Sequence, residues 1–283
     1  MIDFHTHPVL IQEFARKYRN YERVAREIFQ IGNNFQPLET FFLQMDVAGI
    51  ERAVLLPIAC RRARKDSVSS NEQVAELCGM SRRFIGFASV DPLAKGAPRE
   101  LENAVKRLGL KGLKLDPALQ DFRPDGRKVF PVYEAAAALK IPVLLHTGMS
   151  WAPGTALERG HPLLLEEPIR HFPALNFVLA HFAWPWVWEA VALALKYPNV
   201  FLDTSCLYYD SPKEFFQFVF SRQIPTTVIE RSLRNQVVFG SNYPRVEIKN
   251  MVHALKSLAL TEGCLKKILR ENAERLLGMM NSE

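Results

Sequence analysis

Ile2-Asp3-Phe4-His5-Thr6-His7 is an apolar, strand-like run that ends on two histidines. Strand side chains alternate faces with a period of two, so His5 and His7 project to the same side. Two neutral imidazoles placed in this way can bite one cation. An H-x-H pair alone is a weak signal, and its weight depends on what the rest of the chain sets beside it.

Seven more runs rich in Val, Ile, Leu and Phe follow, at 52–59, 84–90, 110–116, 142–148, 176–182, 199–205 and 236–244. Helix-like stretches lie between them, among them 37–48, 70–80, 98–108, 127–140 and 184–197. Near-continuous apolar strands alternating with helices imply right-handed βαβ units and a parallel sheet. With the opening run the count is eight, and no linker or break in composition divides them. The expected fold is therefore an α/β (β/α)8 TIM barrel, with residues 1–283 as a single domain. An open doubly wound sheet would need a Gly-rich phosphate loop after an early strand, and none is present. Two additions frame the barrel. Residues 12–31 are too long for a simple connection and predict an extra helix after the first strand. Residues 261–278 predict a final amphipathic helix with Leu265, Ile268, Leu269, Leu276 and Leu277 on its apolar side.

The chemistry of such a barrel sits where its strands end. The first run ends on His5 and His7, the fourth carries Lys114 and Asp116, the fifth His146 and the sixth His181. The seventh carries Asp203 and Ser205, and the eighth Asn242. Four of the seven histidines thus fall at strand ends. Four imidazoles buried together without a ligand would cost stability, so a metal site is the expected reading. His161, His171 and His253 lie in helical segments and are read as surface or helix-end residues. Cys60, Cys78, Cys206 and Cys264 form no C-x-x-C pair, which argues against a disulfide framework and a thiolate zinc site. They are read as small core residues, with Cys206, just past a strand, bordering the site as the alternative.

No apolar run approaches the roughly 20 residues of a membrane span. The start, Met1-Ile2-Asp3-Phe4-His5, lacks the pattern of a signal peptide, so a cytoplasmic location is expected. The net charge of +6 is spread through helical segments, and Arg61-Arg62-Ala63-Arg64-Lys65 is too short and too poor in aromatics for a nucleic-acid motif. That cluster directly follows the second strand. With Arg123 and Arg245, also just beyond strand ends, it would draw a carboxylate to the mouth; solvated loop charge is the alternative. Trp151, Trp184 and Trp186 follow the fifth and sixth strands and would form an aromatic wall, or simply pack in loops.

Taken jointly, Asp3-Phe4-His5-Thr6-His7, Gly112-Leu113-Lys114-Leu115, Val143-Leu144-Leu145-His146-Thr147-Gly148 and Leu179-Ala180-His181 resemble the amidohydrolase superfamily. Leu202-Asp203-Thr204-Ser205, Phe239-Gly240-Ser241 and the closing Ile268-Leu269-Arg270-Glu271-Asn272-Ala273 continue the likeness over essentially the whole chain. The group resembled is the amidohydrolase-related one that includes aminocarboxymuconate semialdehyde decarboxylase. The resemblance implies one divalent metal, typically zinc, held by His5, His7 and His146, with His181 acting in catalysis. It also implies an aspartate at the end of the eighth strand, in Gly-Ser-Asp-Tyr-Pro, where this chain has Gly240-Ser241-Asn242-Tyr243-Pro244. An asparagine oxygen can still touch a metal or its water, but it cannot take a proton at neutral pH. In binuclear relatives the fourth-strand lysine is carboxylated and bridges two metals. The mononuclear group does not use it so, and Lys114 is read as an ammonium that orients an anionic substrate or pairs with Asp116. Asp203 is read as a partner that orients a histidine ring, or as a structural residue.

The leading expectation is metal-assisted hydrolysis of a lactone, ester or amide of a small carboxylate-bearing substrate, by metal-activated water. Two alternatives stay open: non-hydrolytic decarboxylation of an unsaturated or aromatic acid, and a homologue impaired by Asn242. The partner expected is a small anionic molecule, with neither nucleic acid nor membrane, and a homodimer is left open.

Overall fold

In the computed structural model, which describes residues 1–205 and 211–279, eight parallel strands form in chain order. They are β1 (Ile2–Thr6), β2 (Arg52–Leu55), β3 (Phe84–Gly86), β4 (Leu113–Leu115), β5 (Val143–Leu145), β6 (Phe177–Leu179), β7 (Val200–Asp203) and β8 (Val237–Val238). Strands β1 to β3 make one continuous arc and β4 to β8 another. Parallel bridges Ala88↔Leu113 and Thr6↔Tyr243 join the arcs at both ends, which closes the barrel. Backbone bonds line each seam. Ala88 N–H donates to Gly112 O and Lys114 N–H to Ala88 O, both at 2.7 Å, while Phe4 N–H donates to Phe239 O at 2.8 Å and His7 N–H to Tyr243 O at 2.7 Å. The fold is the (β/α)8 barrel that the run count implies.

The strands are shorter than the apolar runs because the last residues of each run leave the ladder while staying buried. Gly240 N–H turns to Thr204 Oγ1, and Asn242 N–H to the His5 carbonyl. An apolar run reports burial, and it does not separate paired strand from buried coil.

Helices α1 (Leu38–Ala48), α2 (Asn71–Met80), α3 (Ala97–Lys106) and α4 (Phe130–Ala138) follow the first four strands. Helices α5 (Glu166–His171), α6 (Val187–Lys196), α7 (Pro212–Gln217) and α8 (Ile248–Lys256) follow the last four. The local sequence explains their limits. Ser70 caps α2 through a capping box with Gln73, and Gly49 ends α1 at φ +72°. On α3 the buried residues Ala97, Leu101 and Ala104 fall at a four-then-three spacing, one apolar stripe against the barrel. Leu55, Leu113, Leu145 and Leu202 pack with the helices, whereas Phe4, Phe87, Leu144, Phe201 and Val238 pack with one another inside the strands. Ala273 and Leu276, from the C-terminal helical stretch, join that inner cluster. Asn272 holds the stretch to β8 by donating to Val237 O at 2.7 Å.

The insertion at 12–31 differs from the single helix its length predicts. It folds as short turns at Gln12–Lys17, Tyr21–Arg23 and Val24–Ile28, with Tyr18 extended between the first two. Long-range hydrogen bonds break the helix here. Tyr18 Oη donates to Glu76 and Tyr21 Oη to the Pro8 carbonyl, both at 2.5 Å. Among the described residues no helix is long and apolar enough to cross a membrane.

Candidate metal and acid-binding site

Four histidines meet at the C-terminal mouth of the barrel. A register shift between Asp3 and Thr6 on β1 lets Phe4 join the interior cluster while His5 and His7 both turn into the mouth. Gly240 permits the close approach of the β8 loop, since a Cβ there would lie 2.7 Å from the His5 Cβ. His146 follows β5 directly. His181 lies two residues past β6 with φ +61°, a conformation that turns the chain sharply off the strand.

Each ring has one proton, and its partners fix where that proton points. The Leu56 carbonyl can only accept, so His7 donates from Nδ1 (2.9 Å), and the Met149 carbonyl likewise takes the His146 Nε2 proton (3.3 Å). His5 donates from Nδ1 to Asp203 Oδ2 at 2.7 Å. Ser205 gives its hydroxyl proton to Asp203 Oδ1 and accepts from His181 Nδ1 at 2.6 Å. All four protons therefore point outward. The inward nitrogens carry lone pairs that face each other in two pairs: His5 Nε2 and His7 Nε2 at 3.1 Å, His181 Nε2 and His146 Nδ1 at 3.2 Å. Opposed lone pairs repel. Two nitrogens held at about 2.0–2.1 Å by one cation lie roughly 3.0–3.4 Å apart, so the donor set fits a divalent metal. Ligand-type atoms of His5, His181 and Asp203 also fall within 4.8 Å of one another. Asp203 is the orienting group of the cage, since its Oδ1 further accepts from the backbone N–H of His181 (3.0 Å) and Ser205 (2.9 Å).

Electrostatics agree with neutral rings. Burial, reinforced by neighbouring positive charge, holds His5, His7 and His181 well below the ordinary imidazole range, and burial lowers His146 as well. Burial brings the Lys114 ammonium down to about 8, against the pull of Asp116 and Asp203. It pushes the Asp3 carboxyl up to about 7, although Ser241 and the His5 backbone hydrogen-bond to it.

A cavity of about 50 Å³ opens onto the rings and is lined by His7, Lys114, Asp116, His146, His181, Asn242 and Arg245, with Phe29, Leu119 and Trp151 around them. Asn242 sits at φ +64°, in the left-handed region that asparagine tolerates better than most residues. Trp151 is 65 % exposed at the rim. Arg245 lies with its guanidinium 4.2 Å above the Phe29 ring and donates to the Phe29 and Gln30 carbonyls, while Phe29 packs on His7 at 4.8 Å.

Other expected site residues lie elsewhere. Arg61 lines a separate cleft of about 1100 Å³ with Arg99 and Arg107, outside the histidine cage. Arg62 grips Asp91 and the Gln120 carbonyl, and Arg64 donates to Pro153 O, so the cluster 61–65 braces neighbouring loops. Arg123 pairs with Asp125. Trp186 packs on His161 and Trp184 on the hydrophobic core, which leaves Trp151 at the cavity. Cys206 lies outside the described residues. Phe29 went unseen in the sequence, because nothing in residues 12–31 signals that they fold back over the first strand. The Leu56 and Met149 carbonyls were equally hidden, since a backbone acceptor leaves no mark in the sequence.

A family model described as Amidohydrolase matches residues 2–279. Among curated proteins, the chain is 26 % identical over 280 residues to the gamma-resorcylate decarboxylase of Polaromonas sp., covering 84 % of this chain and 83 % of that protein. Among solved structures, an uncharacterised TIM-barrel protein from Bordetella bronchiseptica aligns with a TM-score of 0.75 and 24 % identity, over 99 % of this chain and 98 % of the other. A dihydroxybenzoic acid decarboxylase from Polaromonas sp., with bound manganese and the inhibitor 2-nitroresorcinol, aligns with a TM-score of 0.67 and 19 % identity, over 98 % and 96 % of the two chains. The expectation of hydrolysis is corrected by the curated relative, which is a decarboxylase of an aromatic acid.

Proposed function

The chain belongs to the amidohydrolase family, and from that premise we propose that it is a metal-dependent, non-hydrolytic decarboxylase of a small aromatic acid. The observation that carries the reading is the cage of four inward imidazole nitrogens beside a cavity whose lining includes Lys114 and Arg245 together with Phe29 and Trp151. Asn242 cannot take a proton from water, so hydrolysis at this place would need another base.

His5, His7 and His146 would hold one divalent metal, and Asp203 keeps the His5 ring in the tautomer that presents Nε2. The metal, when bound, supplies positive charge that draws the oxygen donors of the acid and steadies the electrons left behind as carbon dioxide departs. His181 stands beside His146, with its Nε2 3.2 Å from the His146 Nδ1 and its position set by Ser205 and Asp203. Asn242 offers its side chain from the β8 loop. Lys114 supplies charge for a carboxylate from β4, and Arg245 does so from above, while Phe29 and Trp151 offer ring faces to an aromatic acid. We take manganese and zinc as the two candidate metals, manganese because of the relative that binds it. The same reading treats residues 1–283 as one domain. It also keeps a cytoplasmic location, on the ground of the separated free cysteines Cys60, Cys78 and Cys264.

The test is expression with manganese or zinc, followed by assay of carbon dioxide release from a panel of mono- and dihydroxybenzoates. Turnover of at least one acid, abolished by chelation and restored by metal, is the expected result. A protein that binds metal yet releases no carbon dioxide from any of them would refute the reading.

A further inference from the structure

Departure of carbon dioxide leaves the bonding electron pair on carbon, and a proton must reach that carbon to complete the product. The cavity has few groups able to deliver one. Every ring of the cage has its N–H turned outward, to Asp203, the Leu56 carbonyl, Ser205 or the Met149 carbonyl, so the inward nitrogens are bare. Asn242 is not an acid, and an arginine such as Arg245 does not give up its proton. Asp203 is occupied by His5, His181 and Ser205. Asp116 accepts the Leu119 N–H at 2.8 Å and serves as counter-charge to its neighbour two residues back.

That neighbour is Lys114, which is 1 % exposed, stands on β4, lines the cavity together with His7, His146 and His181, and takes no part in the hydrogen bonds described for the cage. We propose that Lys114 is the proton donor: as the carbon–carboxyl bond breaks, carbon dioxide leaves and the electron pair stays on the ring carbon, which takes a proton from the Lys114 ammonium. The neutral amine then recovers a proton from solvent, so each turnover consumes one proton and involves no oxidant or reductant. Burial favours the role by bringing the ammonium to about 8, near a neutral working pH. The inference rests on the decarboxylase reading and adds to it, since an anchoring cation need not be an acid.

Lys114→Arg separates the two roles, because it keeps the charge and gives up the acidity. With an acid that the wild type decarboxylates, the arginine variant is expected to bind within about threefold of wild type and to lose kcat by about 10²–10⁴-fold. The wild-type kcat is expected to fall on the alkaline side, where the donor loses its proton. If the arginine variant is not folded, Lys114→Ala with added methylammonium decides, with rescue in proportion to amine concentration as the expected result. An active arginine variant, or an alanine variant that amine does not rescue, would each overturn the proposal alone. A wild type that releases no carbon dioxide removes the decarboxylase reading and the proposal together.

Discussion

At the scale of single residues, Asp203 has the widest reach, because one carboxylate orients His5 and His181 and anchors Ser205. Asp203→Asn keeps the shape but can turn an amide N–H toward His5 Nδ1, which disfavours the tautomer with a bare Nε2. Metal affinity is expected to fall by about 10–100-fold, read by competition with a chromophoric chelator. Asn242→Asp works in the opposite direction: it adds a negative charge beside the cage, and calorimetry is expected to show tighter metal binding. The histidines were legible in the sequence because position at a strand's end is enough to bring four rings together. Arg61 was not, since being next to a strand says nothing about the way a loop turns. It starts the short helix Arg61–Arg64, whose other arginines tie down neighbouring loops.

At the scale of elements, the insertion after β1 decides access. Ile28, Phe29 and Gln30 roof the cavity, and Arg245 clasps that roof through the Phe29 ring and the carbonyls beside it. About 50 Å³ is narrow for an aromatic acid, so displacement of the roof is expected to ease its entry. Phe29→Ala is expected to cost about 3 kcal/mol of stability, because the ring is buried against His7, and to raise the association rate of hydroxybenzoates in stopped-flow binding. The sequence announced an extra element here through its length alone. Its breaks were illegible because they come from hydrogen bonds to residues far along the chain, such as Tyr18 to Glu76.

At the scale of the whole molecule, the eight-strand count was legible because each strand is buried on both faces and reads as an apolar run. The paired lengths were not, since burial outlasts pairing at every strand end. The buried rings also set how the protein responds to acid. The unfolded imidazole value is 6.5 and the folded values lie below it, so the contribution of the rings is present above pH 6.5 and lost as pH falls. Asp3 acts oppositely: its folded value of about 7 exceeds the unfolded 3.8, so it regains stability over the same descent, but four rings outweigh one carboxyl. Metal-stripped protein is expected to lose stability as the pH falls, seen as a falling melting temperature between pH 7 and 5.5. The two arcs of the barrel add a mechanical consequence. His5 and His7 belong to the arc β1–β3, while His146 and His181 belong to β4–β8. A cation held by His5, His7 and His146 would be a rivet between the two arcs, joining parts of the chain more than a hundred residues apart. Loading it should therefore slow unfolding, with the seam amides of His7 and Asn242 becoming the slowest to exchange with deuterated solvent.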